Sequence, residues 1–424
     1  MSASSISKAE FVCKCEPDQR PACWPEERCP EPYKDGYCVL HFPGKEKSPD
    51  FRVALDERLE KKNYNFPGVW FPDDPKFSRR SFETNAVFVS ATFAELADFS
   101  RAAFGARADF TGAVFKKQVE FNSATFTARA NFDDAHFIGN ANFERSSFRA
   151  RAGFNSAYFH QHARFRSATF YERANFGEVQ FNGQANFRLT NFKDYVRFAA
   201  TREDKGFLDG SRLDLREVKI DKPELVTFHS LELRRFWFVD VNASKVDFSN
   251  VKWKRSTLDE EVAEIEKIAT EEQTDQSLRP ALHTLFGIAC WNLAVNAEEN
   301  HRYEEASAFR YLAMEARRRE HPGLLHWLYW AVSGYGEKII RALVVLVGIL
   351  VLFAGLYTVT ARDEASPRLR LWRALSYSAR VMTLQKPEPP PPTTAVQVLV
   401  TIETILGPVQ AALLALAIRR RFMR

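Results

Sequence analysis

The chain has 424 residues, a formal net charge of +5, and aromatic side chains at 13% of positions. That length exceeds one ordinary hydrophobic core and calls for several modules. A balance this mildly basic argues against a dedicated nucleic-acid binder.

The chain opens on "MSASSISKAEF", with no apolar run. No secretory leader is therefore expected, and the N-terminal region is expected in reducing cytosol. Five cysteines cluster there: Cys13, Cys15, Cys23, Cys29 and Cys38, with His41 three places after the last. Clustered thiols in that compartment bind metal more often than they form disulfides. Zinc takes four nitrogen or sulfur ligands. The preferred set is Cys15, Cys29, Cys38 and His41, with Cys13 or Cys23 as substitutes, in a closed structural site. The alternative is a loose, partly oxidised tail. "DGYCVLHFP" (Asp35 to Pro43) resembles the end of small zinc-binding knuckles, and also the leader that often precedes pentapeptide repeats in bacterial proteins. This region is assigned to 1–45. Residues 46–81 read as linker and cap, with Tyr64, Phe66, Trp70 and Phe71 available to cover the first coil of the next segment.

From Phe82 to Phe198 phenylalanine recurs at alternating steps of five and six, so the unit is eleven residues. A small residue, usually Ala, stands two places before most of these Phe. A right-handed helical supercoil shares this period, but units rich in Phe, Thr, Asn, Ser and Gly are weak helix formers. A chain that bends about every five residues fits better, each short side pointing one large and one small side chain inward. "LADFS" (Leu96 to Ser100), "RADFT" (Arg107 to Thr111) and "RANFD" (Arg129 to Asp133) resemble the pentapeptide-repeat family. The resemblance implies a right-handed, four-sided β-helix over 82–255, with two eleven-residue units per coil and the extra residue bulging at a corner. One coil cannot bury its own core, so neighbours must stack. The pattern lapses through Thr201 to Gly210, and the loop at 199–210 is read as an excursion from the rod. It resumes as a strict five-residue period in pairs such as Val226/Phe228, Leu231/Leu233 and Phe236/Phe238. Some pentapeptide proteins mimic DNA and protect topoisomerase, which needs an acidic rod. This ladder mixes acids with Arg145, Arg149, Arg151, Arg164 and Arg166, so that role and nucleic-acid binding are not expected.

Residues 256–322 read as a helical pair, opened by the capping signature "STLDEE" (Ser256 to Glu261). Residues 323–424 read as a membrane module. "GLLHWLYWAVSGYG" (Gly323 to Gly336) suits an interfacial helix. Apolar runs at about 339–360 and 395–418 are long enough to span, and a short amphipathic helix at about 371–385 lies between them. Arginine clusters at Arg317–Arg319 and Arg419–Arg421 favour a multi-pass cell-membrane protein with both termini and the β-helix cytoplasmic. Span, short helix, loop, span resembles the pore module of two-span potassium channels, and "ALSYSARVMTLQ" (Ala374 to Gln385) matches the pore helix loosely. The resemblance implies a homotetramer, pore-loop candidates Thr383, Leu384 and Gln385, and inner-helix candidates Glu403 and Gly407. The T-V-G-Y-G-D filter is missing, so potassium selectivity is not expected.

No nucleophile–base pair or phosphate-cradling loop is present in the sequence, and an enzyme is not expected. The expected function is a cytoplasmic β-helix that binds an unknown protein partner, coupled either to a non-selective ion pore or to a plain anchor.

Overall fold

A computed structural model describes residues 13–14, 32–201, 206–207, 211–271, 282–360, 367–386, 388, 390–391 and 393–422. Two compact units divide at Arg255/Ser256.

The first unit is a β-solenoid of about eight turns. Its strands are mostly two residues long, too short to stand alone, and they join four parallel ladders of six to eight rungs. Through the Phe ladder each rung pairs with one 22 residues away, as Phe115 does with Phe93 and Phe137. The core is four stacks of phenylalanine. In one of them Phe82, Phe104, Phe126, Phe148 and Phe170 lie 4.6–4.8 Å apart with their planes within 4°. Between stacks the rings meet edge to face, as Phe110 and Phe121 do at 82°, the arrangement the ring quadrupole favours. The alanines two places before the rings, such as Ala97, Ala108 and Ala130, are fully buried and leave the rings their space.

The five/six alternation has a local cause. Bends alternate between three and four residues outside the strands. Each longer bend carries a residue with positive φ, repeating every eleven positions from Ser90, Arg101 and Gly112 to Glu178 and Leu189. A backbone bond closes it, as from Ala91 N to Phe88 O at 3.1 Å. The extra residue therefore sits in a tight turn.

The solenoid starts before Phe82. Trp70–Phe71 is the first rung of one ladder, and Tyr64, Phe66, Phe71 and Phe77 each lie against the ring 18–22 positions on. Helix α1 (Ser48–Glu60) buries Phe51, Leu55 and Leu59, with Phe51 edge-on to Phe71 at 5.4 Å. At the other end Gly206–Phe207 rejoins a ladder. The last coil shortens to 20 residues, pairing Phe228 with Phe248. The pair Phe236/Phe238 lies in a short 3-10 turn (Arg235–Phe238) that breaks the strict strand pattern.

The second unit is helical. Helix α2 (Leu258–Glu271) begins with a reciprocal capping box: Glu260 N donates to Thr257 Oγ1 and Thr257 N to Glu260 Oε2. Helices α3 (Leu282–Glu299) and α4 (Tyr303–Glu320) form an antiparallel pair. Helix α5 (Leu324–Ser333) exposes Leu324, Leu325 and Trp327. It ends on Gly334, Tyr335 and Gly336, all at positive φ. Helices α6 (Ile339–Thr360), α7 (Pro367–Met382) and α8 (Thr394–Phe422) complete the chain. Among the described residues, α6 and α8 are long and apolar enough to cross a membrane.

Candidate metal cluster and membrane module

A two-stranded hairpin, β1 (Pro32–Lys34) and β2 (Tyr37–Cys38), turns through Asp35 and Gly36, both at positive φ. Asp-Gly is the sequence such a turn requires. Lys14 N donates to Gly36 O at 2.9 Å and brings Cys13 alongside. After β2 the backbone N–H groups of His41 and Phe42 both donate to Cys38 O, which puts Cys38 and His41 on the same side of a tight turn.

The outcome is a buried cluster of Cys13, Cys38 and His41, whose ligand atoms all lie within 4.8 Å of one another. Cys38 N donates to Cys13 Sγ at 3.4 Å, and His41 Nδ1 lies 3.0 Å from Cys38 Sγ. His41 Nε2 faces Pro67 O at 3.2 Å. A proton on Nε2 satisfies that carbonyl and leaves Nδ1 as the ligating nitrogen, the usual support of a metal-bound imidazole. Without a metal, burial pulls the imidazole down but bonds to Cys13 and Cys38 outweigh it, raising His41 to about 10. Two thiols and one imidazole fit a soft or borderline cation.

Of the sequence-derived set, the structure brings Cys38 and His41 together with the substitute Cys13. Cys15, Cys23 and Cys29 lie outside the described residues. Sequence reasoning missed Lys47. It is fully buried, donates from Nζ to Leu40 O at 2.7 Å and sits over the rings of Phe51 and Trp70. Burial lowers it to about 7, against the pull of the Cys38 and Cys13 sulfurs. Nothing in the local sequence marks it out from the surface lysines beside it.

In the C-terminal helices α7 packs on both α6 and α8, around Phe353, Ala354, Tyr357, Ala374 and Val396. Glu403 is fully buried among these helices, accepting a bond from Tyr357 Oη at 2.7 Å and sharing a second with Ser378 Oγ. Gly407 faces Met382, where an added Cβ would come 3.1 Å from Met382 Cα. Its lack of a side chain is thus used in helix packing. Thr383, Leu384 and Gln385 are exposed. Their N–H groups donate back to Ala379, Val381 and Arg380 carbonyls and close the end of α7.

At the other end of the pair, Gln410 donates to Val332 O and Ala342 O, and Arg420 to Tyr335 O and Glu337. The start of α6 and the end of α8 therefore lie together. The "GYG" of Gly334 to Gly336 is a turn here, and the Tyr335 hydroxyl donates to Glu315.

Residues 105–147 and 154–202 match the family model described as Pentapeptide repeats (9 copies). The Phe ladder is a pentapeptide-repeat solenoid. No curated protein and no solved structure matches the chain.

The pentapeptide register also orders the surface. Ala108, Ala130, Ala152 and Ala174 pair in succession, so the residues just before them, Arg107, Arg129, Arg151 and Arg173, form one exposed column. Successive members are about 4.8 Å apart, the strand spacing. Arg107 pairs with Asp109 at 2.7 Å, and Arg173 lies over Tyr195. In the next three coils the place of Asp109 itself is taken by Asn131, Gly153 and Asn175, while Asp133 still lies close enough to Arg129 to attract it.

Proposed function

We propose that this is a membrane-anchored interaction protein, with the pentapeptide solenoid as the docking surface and α6–α8 as the anchor. The observation that carries the reading is the arginine column. Like charges stacked at strand spacing repel, and an acidic partner laid along them relieves that repulsion. Arg presents a planar fork suited to carboxylates. The partner class is an acidic protein segment. The test is binding of a poly-glutamate peptide to the full chain in nanodiscs of uncharged lipid. Salt-dependent binding that a triple R129E/R151E/R173E change abolishes supports the reading. Binding that survives the change, or a preference for nucleic acid over the peptide, contradicts it.

The metal suited to Cys13, Cys38 and His41 is zinc in a structural role, with a fourth ligand completing its tetrahedron. Arg317–Arg319 and Arg419–Arg421 favour placing both ends of the hairpin, and the solenoid, in the cytoplasm. A solenoid whose described residues converge no nucleophile and base suits binding, and we assign no enzymatic role.

One observation favours a second reading. A short helix packed against both spans is the arrangement of a pore module, and several copies, four by that analogy, could enclose a non-selective ion path. Sizing in detergent followed by planar-bilayer recording separates the two. Discrete conductance from a tetramer supports the pore, whereas a monomer or dimer with a silent bilayer leaves the anchor.

A further inference from the structure

Glu403 is the tenth residue of α8, roughly 13 Å along it at 1.5 Å per residue. That depth is near the middle of a span. An ionised carboxylate buried there without a counter-charge is expensive. The described cations of these three helices are engaged or turned elsewhere. Arg341 donates to Trp330 O, Arg380 lies against Glu388, Arg373 and Arg419 are exposed, and Arg420 bonds to Tyr335 O and Glu337. The titratable groups that face Glu403 are the hydroxyls of Tyr357, on α6, and Tyr377, on α7.

The hydrogen count around Ser378 decides what Glu403 carries. Ser378 Oγ lies within bonding distance of Glu403 Oε1 and also 3.2 Å from Leu350 O. A serine hydroxyl has one hydrogen, and a carbonyl and a carboxylate are both acceptors. An ionised Glu403 would leave two acceptors competing for that hydrogen. A proton on Glu403 Oε1 resolves the conflict. Tyr357 then donates to Glu403 Oε2, Glu403 Oε1–H donates to Ser378 Oγ, and Ser378 donates to Leu350 O. Every hydrogen has one acceptor, and the chain of bonds runs from α6 through α8 and α7 back to α6.

We propose that Glu403 is an intramembrane proton-binding site, held as the neutral acid and tying α7 between the two spans. Loss of its proton to water removes the Glu403-to-Ser378 donor, sets Ser378 between two acceptors and leaves a bare charge, so α7 is released. Tyr377 points to the same role. Its hydroxyl is buried without a hydrogen-bond partner among the described residues, and its ring stands 4.9 Å from that of Tyr357. The inference rests on the packing of one chain and holds whether or not a pore forms.

The test uses the full chain in lipid nanodiscs. Infrared spectra at neutral pH are expected to show the carbonyl band of a protonated carboxylic acid that disappears in Glu403→Gln. In Ser378→Ala the band remains and moves to higher frequency, because its acceptor is gone. Thermal unfolding gives a second readout. The amide of Glu403→Gln can donate to Ser378 and accept from Tyr357, so its Tm stays within a few degrees of the parent, while Glu403→Leu falls well below both. The proposal is overturned if no band is lost in Glu403→Gln. It is overturned equally if Glu403→Gln is as damaging as Glu403→Leu and parent stability depends on sodium or potassium, which marks a cation site.

Discussion

The solenoid and the module of helices α6–α8 reach order by opposite routes. In the solenoid one rule is repeated, and each ring, alanine and turn has copies above and below it. Specificity is spread over many equivalent contacts, in the manner of a one-dimensional array. In the module most of the surface is apolar and unspecific, and a few polar side chains set the geometry. Glu403 fixes α7, Gln410 joins α8 to α5 and α6, and Arg420 joins the end of α8 to the α5–α6 turn. Repetition tolerates variation in the surface residues of each coil. A single bridging side chain has no substitute.

The sharpest break of the solenoid is at its middle. Phe132 is fully buried between Phe110 at 4.9 Å and Phe154 at 5.0 Å. Phe132→Ala should cost about 3–5 kcal/mol, and its neighbours cannot collapse without breaking register. Denaturant unfolding of the full chain followed by tryptophan fluorescence and circular dichroism measures it.

In the module, glycines of one span pair should differ by location. Gly407→Leu meets Met382 and should cost about 1–3 kcal/mol from overpacking. At Gly348 an added Cβ meets nothing within 4 Å. Gly348→Ala should therefore leave the fold intact and gain up to about 1 kcal/mol of helix propensity. Thermal unfolding in detergent compares them, and equal effects at both sites would contradict the packing of α7 on α8.

Between the two regions lie local devices with smaller effects. Thr257→Ala removes half of the capping box and should cost about 1 kcal/mol, read as earlier melting of the helical signal. At Glu315 burial pushes the carboxyl up, but bonds from Arg318 and Tyr335 outweigh it and hold it below its ordinary value. A depressed carboxyl stabilises the fold above its unfolded value, about 4.3, and that contribution is lost as pH falls through the folded value. The Tm gap between the parent and Glu315→Gln should be open at pH 7 and close progressively in the acid range below about pH 4.

The contrast also explains what the sequence disclosed. The period of the phenylalanines fixes the ladder because every unit states it again. The left-handed turn at every eleventh position was hidden, because Ser90, Arg101, Ser123 and Arg145 occupy it where glycine would have announced it. The arginine column needed the register, since its members are 22 residues apart and look unrelated in the linear chain. Glu403 stood out as one acid in an apolar run. Its partners did not, because Tyr357 and Ser378 are 46 and 25 positions away. In the cysteine cluster, spacing alone did not bring Cys13 to Cys38 and His41. That placement rests on Lys14 pairing with Gly36, a contact no motif encodes.

Sidedness in the membrane decides whether α6 and α8 form a two-span anchor. Cysteine placed at Lys117, exposed on the solenoid, and at Glu388, exposed in the connection between α7 and α8, would be labelled in intact cells with an impermeant maleimide. Glu388→Cys is expected to be labelled from outside and Lys117→Cys only after the membrane is opened. Labelling of both from the same side would contradict the two-span anchor.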